Sequence, residues 1–389
     1  MKVVIAAGGR FHAFHLARQL EKRMALKKLY TGSYTNKDSD YVNQKFIEQN
    51  YYFDYLSDFF LKFRFYKFLN KSKLHTIKDN LFDYWLSKKI KKEGEFDIFV
   101  GWANYFFNSI KQIKKAGAKV IIECGSTHIL EQQKLLQEEY QKFGLNFSPI
   151  CKKNLEKVLA EYNVADYIMT CSNFTYKSFL KHGISANKML KVPYGVNLDI
   201  FGKKSKKSDG KFRVICVGLM CLRKGIPYLL KAWKKLNLPE NKSELLLVGN
   251  VQKDLKYFLK NFDLPGNVVF YGSTNRKSLA DLYIKSDIFV LPSIEEGLSM
   301  TIAEAMASGL PIICTTNTGG EELIEEGKQG FILPIRDSEF LAEKILWFYE
   351  NKSFIQEMGM SAKKKIKNFS WDVYGQKIFD TYKKIIEKK

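Results

Sequence analysis

"DIFVLPSIEEGLSMTIAEAMASGLPIICTT", from Asp287 to Thr316, holds two apolar runs with a helix-like segment between them. "DIFVLPS" and "PIICTT" are short and continuous, without alternation. Such runs suit strands covered on both faces, as in a parallel sheet flanked by helices. In an open α/β sheet, ligands bind beyond the carboxyl ends of the strands. Here the first strand delivers its end into an acidic glycine loop, "IEEGLSM". The helix that follows starts near Ser299, so its free N–H groups face the same crevice, a ready site for an anion. The order strand, acidic loop, helix start points to a phosphate-bearing ligand.

Glu304 stands in the middle of that helix among small and apolar neighbours. Two readings of it stay open. A buried carboxylate must be paired or hydrogen-bonded, and the vicinal hydroxyls of a ribose would satisfy it. Alternatively Thr301, Glu304 and Ser308, at helical spacing, form a narrow polar stripe facing solvent.

The same kind of strand recurs along the chain. In the first half the runs are "KVVIAAG" (2–8), "LKKLYTG" (26–32), "DIFVGWA" (97–103), "KVIIECG" (119–125), "DYIMTCS" (166–172) and "MLKVPYG" (189–195). In the second they are "FRVICVG" (212–218), "ELLLVGN" (244–250), "NVVFYGS" (267–273), "DIFVLPS", "PIICTT" and "GFILPI" (330–335). Between the two sets lies "FGKKSKKSDG" (201–210), charged and without apolar period, which reads as a linker. The expected architecture is α/β, with two Rossmann-like domains, 1–200 and 211–370, facing each other across a cleft. The tail, 371–389, reads as an amphipathic helix.

At 389 residues the chain suits two domains. No run of about 18 apolar residues predicts a membrane span, and "MKVVIAAGG" reads as a first strand, not a targeting segment. Six scattered cysteines, with no CxxC pair and no zinc-like spacing, read as buried reduced thiols in a cytoplasmic protein. Lys and Arg number 63 against 41 Asp and Glu, a net charge of +22. Such a chain is drawn to polyanions, anionic lipid or phosphorylated ligands. An AT-rich genome, which favours Lys, Asn, Phe, Tyr and Ile together, also produces this composition.

Beyond its acidic loop, the chain resembles glycosyltransferase family four, the retaining enzymes of GT-B fold. "EGLSMTIAE" followed by "AMASGLPII" is similar to that family's signature. "GGRFHAFHLARQL" (8–20), "ECGSTHI" (123–129), "KVPYGVNLDIF" (191–201), "VGLMCLRKGIPYLLKAW" (217–233), "LLLVGN", "FYGSTNRKSLADLYIKSDIFVLPS" and the closing "FSWDVYGQKIFDTYKKI" resemble further family segments in order. The resemblance implies a retaining, metal-independent transfer of a hexosyl unit from a nucleoside-diphosphate sugar to a glycan or lipid-linked acceptor, in cell-surface polysaccharide synthesis. It implies catalytic roles for His128 and Glu296, and a ribose contact for Glu304. It implies backbone contacts to the donor at Leu298, Ser299 and Met300, cationic contacts at Arg223 and Lys224, and close glycine approaches at Gly8, Gly9, Gly218 and Gly249. It implies no cofactor, and a terminal helix that crosses back to the first domain. The chain departs from the pattern at Leu219, where many relatives carry Arg and Arg223 is the expected substitute. It departs again at Ser299 and Val251, which stand where glycines are usual.

"DSD" (38–40) imitates a metal-binding acid pair but lacks a preceding strand, and it reads as loop. From Phe59 to Lys92, ten basic residues (Lys62, Arg64, Lys67, Lys71, Lys73, Lys78, Lys88, Lys89, Lys91, Lys92) face two acids, Asp79 and Asp83, with aromatics interleaved. Basic helices with aromatic faces lie well on anionic membranes; a solvated surface helix is the other reading. Two rival functions stand beside the transferase. A nucleotide-sugar 2-epimerase shares the GT-B architecture, and a basic nucleic-acid binder would use the net charge, though no RRM, KH or helix-turn-helix signature is present.

Overall fold

The computed structural model describes residues 1–32, 41–50, 71–146, 150–202 and 210–387. Every apolar run singled out above forms a strand. Among the described residues the first sheet has seven strands in the order β3-β2-β1-β4-β5-β6-β7. They are β1 (Val3–Ala7), β2 (Leu26–Thr31), β3 (Ile47–Gln49), β4 (Ile98–Trp102), β5 (Lys119–Cys124), β6 (Tyr167–Thr170) and β7 (Met189–Lys191). The second sheet runs β10-β9-β8-β11-β12-β13. Its strands are β8 (Phe212–Val217), β9 (Ser243–Val248), β10 (Val268–Gly272), β11 (Ile288–Leu291), β12 (Ile312–Thr315) and β13 (Gly330–Leu333). All pairings within both sheets are parallel. Each order reverses direction at its first strand, the doubly wound arrangement whose crevice opens at the switch point. The strands β1, β4, β8 and β11 at those points are buried along their whole length.

β3 carries no apolar run. Its three residues, Ile47, Glu48 and Gln49, are half-buried, and among the described residues they pair with β2 on one side only. An edge strand needs no continuous apolar face, so periodicity gives no sign of it.

The residues 203–209 of the expected linker, the "DSD" loop and residues 59–70 lie outside the described residues. Running into the expected linker, the helix Leu198–Phe201 buries Phe201, the linker's first residue, against Tyr283 of the second half. The helix Trp371–Glu387 returns to the first half. Asp372 pairs with Lys22 at 2.5 Å, and its carbonyl accepts from Arg23. Trp371 stacks on His15 with ring centroids 3.9 Å apart. A side chain at Gly375 would strike Gln19, so glycine there lets the two helices meet.

The helix Lys71–Ile90 buries Phe82, Leu86 and Ile90. Its acids do not face water with its lysines. Asp83, fully buried, accepts from the N–H groups of Asn108 and Ser109 and from the Ser109 hydroxyl. Asp79 accepts from Asn104, and burial lifts its pKa to about 6. Ile77, Leu81 and Tyr84 remain exposed at helical spacing. Among the described residues no helix is long and apolar enough to cross a membrane.

Candidate functional site

The acidic loop between β11 and the helix Met300–Ala307 lies where the two halves meet. The loop's two adjacent glutamates diverge, one towards each half. Glu295, fully buried, turns to the first half. Its carboxylate accepts from the Thr127 N–H (3.1 Å), the Thr127 hydroxyl (3.0 Å) and Gln132 Nε2 (3.1 Å). Glu296 turns to the glycine loop after β8. Its Oε1 lies 2.6 Å from Lys224 Nζ and 3.2 Å from Arg223 Nη1. Burial opposes its charge, but Lys224 and Arg223 outweigh burial and hold its pKa below the usual carboxylate range.

Tight backbone approaches build this site. Gly225, at φ 67°, follows Lys224, and a side chain there would strike the Pro292 carbonyl. Gly249, at φ 146°, lies against the Gly218 carbonyl with no room for a Cβ. Gly218, at φ 148°, leaves the space into which the Lys224 side chain folds. Of the two glycines in the first loop, Gly8 is the sterically constrained one, since a Cβ would enter the Tyr105 ring; Gly9 meets only Phe11.

Lys224 is buried, while Arg223 is doubly engaged. Arg223 Nη1 donates to the Glu295 carbonyl at 3.0 Å and lies 3.3 Å from Glu295 Oε2. The expectation that Arg223 replaces the cation missing at Leu219 meets this competing geometry. Leu219 itself is exposed. Arg276, at the first turn of the helix Arg276–Ile284, escaped the sequence reading. It lines the interdomain cavity, and among the described residues no carboxylate lies within salt-bridge distance of it. A single Arg after a polar loop gives no sequence signal of its own.

At the start of the helix Met300–Ala307, the Ser299 N–H donates to the Thr318 carbonyl at 3.2 Å, so that amide is already paired. Leu298 and Met300 line the cavity. Of the polar residues at helical spacing, Ser308 is buried, while Thr301 and Glu304 are half-buried. Glu304 has Tyr283 as a long hydrogen-bond donor at 3.5 Å, and burial lifts its pKa to about 7 against the pull of Arg276 and Tyr283.

His128 stands at the turn from β5 into the next helix. It caps the helix Ile129–Lys142, its Nδ1 accepting from the Leu130 N–H at 3.3 Å. Its ring stacks on His182, with centroids 4.6 Å apart, and packs edge-on to Phe179. Burial, then the neighbouring His182, lowers its pKa to about 4. Thr127 and Ile129 line the cavity, and His128 between them does not. The reason is local: the chain turns from strand to helix there, and the capping role draws the imidazole back towards the helix.

The cavity itself, about 560 Å³, lies between the halves. Phe11, His12, Trp102, Glu123 and Tyr194 come from the first, and Arg276, Leu298 and Met300 from the second. His12 and Glu123 were not singled out in the sequence. Their signal was an acid closing the apolar run "KVIIEC" and a histidine just past the first glycine loop.

Residues 199–365 match the family model described as "Glycosyl transferases group 1". The amylovoran biosynthesis glycosyltransferase AmsK of Erwinia amylovora is 22% identical over 293 residues, 71% of this chain and 67% of that protein. Several other curated relatives match over about half of their own length. Sucrose-phosphate synthase from Thermosynechococcus elongatus superposes with a TM-score of 0.68 at 16% identity, over 100% of both chains. Anabaena HepE in complex with UDP and glucose superposes with a TM-score of 0.68 at 16% identity, over 99% of this chain and 100% of its own. The two doubly wound halves and these superpositions make the fold GT-B, and residues 199–365 of this chain are a glycosyl transferases group 1 domain.

Proposed function

We propose that the protein is a retaining, metal-independent glycosyltransferase of family four, moving a hexosyl unit from a nucleoside-diphosphate sugar to a glycan or lipid-linked acceptor. One observation carries the reading: Lys224, buried and 2.6 Å from Glu296, stands beneath the glycine loop at the switch point of the second sheet. A fixed cation there meets the charge that grows on a departing nucleoside diphosphate, and it does so without reorganising. Glu296 then holds the lysine in place before the donor arrives and contacts the donor sugar once the diphosphate takes the lysine. Glu304 receives the ribose hydroxyls, and Arg276 supplies the second cation that Leu219 does not. The cavity on the side of the first half receives the acceptor. AmsK, named for amylovoran biosynthesis, supports a role in polysaccharide synthesis. Thermal unfolding with UDP, GDP and ADP and their sugars tests the reading. A ligand at about 100 times its Kd adds roughly 2.7 kcal/mol of stability, and the absence of any such shift across the panel counts against it.

The membrane enters the same proposal as the place where a lipid-linked acceptor is met. The helix Lys71–Ile90 withdraws Asp83 into the core and leaves Ile77, Leu81 and Tyr84 exposed beside its lysines. That is the makeup of a helix that rests on anionic headgroups.

A further inference from the structure

At the floor of the interdomain cavity two polar side chains of the first half face each other. Glu123 closes β5 and is 2% exposed, and His12 follows the first glycine loop and is 7% exposed. His12 Nε2 lies 3.4 Å from Glu123 Oε2. Among the described residues, neither His12 Nε2 nor Glu123 Oε1 has a hydrogen-bond partner, and the same holds for Asn104 Oδ1. All three residues line the cavity. Buried polar groups are normally paired, so two acceptor oxygens without partners, and a histidine nitrogen held only at ion-pair distance, all lining one cavity, ask for a ligand that brings hydrogen-bond donors.

The walls say which kind. The Phe11 and Trp102 rings lie nearly parallel, 7° apart with centroids at 5.9 Å. His12 packs between Trp102 and Tyr194, at 4.9 and 4.2 Å. Phe11 is half exposed and held at φ 37°, a conformation that a bulky residue adopts only when its surroundings hold it there. Such a cavity offers flat apolar faces at its sides and hydrogen-bonding groups at its floor, the usual division of labour in a small-molecule site. A pyranose ring has the matching surfaces: an apolar C–H face and a rim of hydroxyls that both donate and accept. The floor presents one carboxylate, so an anionic group would be repelled there.

Building on the transferase reading above, we propose that this cavity binds the acceptor through one neutral pyranose ring. The ring lies against Phe11 and Trp102, and its hydroxyls bond to Glu123 and His12. Asn104, held at its amide by Asp79, takes a further hydroxyl.

Saturation-transfer NMR with methyl α- and β-pyranosides of glucose, galactose, mannose and N-acetylglucosamine tests this, on protein saturated with whichever nucleoside diphosphate stabilises it most. At least one pyranoside is expected to bind. E123Q, close to isosteric, is expected to weaken it at least tenfold. F11A, at an exposed position, is expected to weaken it severalfold. Both variants should bind the nucleoside diphosphate within twofold of the wild type. The proposal is overturned if a protein that binds the nucleotide takes up no pyranoside, or if both variants bind pyranoside as the wild type does. Failure to bind any nucleotide would instead remove the donor reading on which it rests.

Discussion

Glu295, at the centre of the acidic loop, accepts two hydrogen bonds from Thr127 of the opposite half, one from its N–H at 3.1 Å and one from its hydroxyl at 3.0 Å. A fully buried carboxylate of one sheet is thus satisfied by the other. Its neighbour Glu296 faces Lys224 instead. Two adjacent acids therefore divide the work, one joining the halves and the other paired with the buried Lys224. Close backbone contact reinforces the junction. The Ser172 hydroxyl donates to the Gly297 carbonyl at 2.7 Å, and a side chain at Gly297 would strike the Gly125 carbonyl.

Replacing Glu295 by Ala leaves Thr127, Gln132 and part of Arg223 without their buried acceptor. Leaving buried donors unpaired costs about 1–3 kcal/mol each at most sites. Urea denaturation of E295A should therefore show a loss of at least that size for the whole protein. A loss within about 0.5 kcal/mol, typical of a surface position, would deny the carboxylate this role.

Glu304 should couple nucleotide binding to protons. Burial raises its pKa to about 7, so the free protein holds a proton there between the ordinary carboxylate value and about pH 7. Folding favours the protonated form, and this contribution to stability is lost as pH rises through about 7. Ribose hydroxyls donate best to the ionised form, so binding at pH 6 should release a proton and affinity should rise from pH 5 to 7. Calorimetry in two buffers of different ionisation enthalpy reads this directly. Release should vanish at pH 8 and in E304Q; proton uptake at pH 6 would contradict the ribose role.

Arg276 and Arg223 should separate by phenotype. R276A is expected to weaken a nucleoside diphosphate about tenfold, near 1.4 kcal/mol, and to leave the parent nucleoside unaffected. R223A should mainly lower stability, since its guanidinium is engaged with Glu295 and Glu296. Equal weakening of nucleoside and nucleoside diphosphate by R276A would place that residue on the base or ribose.

Reversing Lys78, Lys88, Lys91 and Lys92 to Glu should abolish co-sedimentation with anionic vesicles and leave nucleotide binding intact. Each such lysine is worth about 1 kcal/mol at an anionic surface, and added salt should release the wild-type protein. Indifference of the wild type to anionic vesicles at low salt would leave these lysines as a solvated face.

Apart from β3, the strands were legible because parallel sheets write themselves as unbroken apolar runs, and the turn of many of these runs into Gly, Ser or Pro marked the crevice. Gly225 and Gly249 carry a further message that only the fold reveals: each faces a backbone carbonyl from a different strand's loop. Side-chain direction was the harder matter. "ECGSTHI" displays both Glu123 and His128, and sequence order does not say which one the strand end aims into the cleft. In the structure His128 Nδ1 accepts from the Leu130 N–H, while Glu123 lines the cavity. Likewise Glu295 and Glu296 are indistinguishable as letters, and only the opposite half, with Thr127 and Gln132, tells them apart.

The central claim is that a buried lysine stabilises the departing nucleoside diphosphate. The rate of nucleoside diphosphate release from a panel of nucleotide sugars, measured in EDTA for the wild type and K224A, tests it most directly. The expected result is wild-type turnover undiminished by EDTA and a fall in kcat of about 10²–10³ in K224A, the loss typical of removing one preorganised group that meets developing charge. Turnover abolished by EDTA and restored by manganese or magnesium, or a K224A enzyme as fast as the wild type, would contradict it.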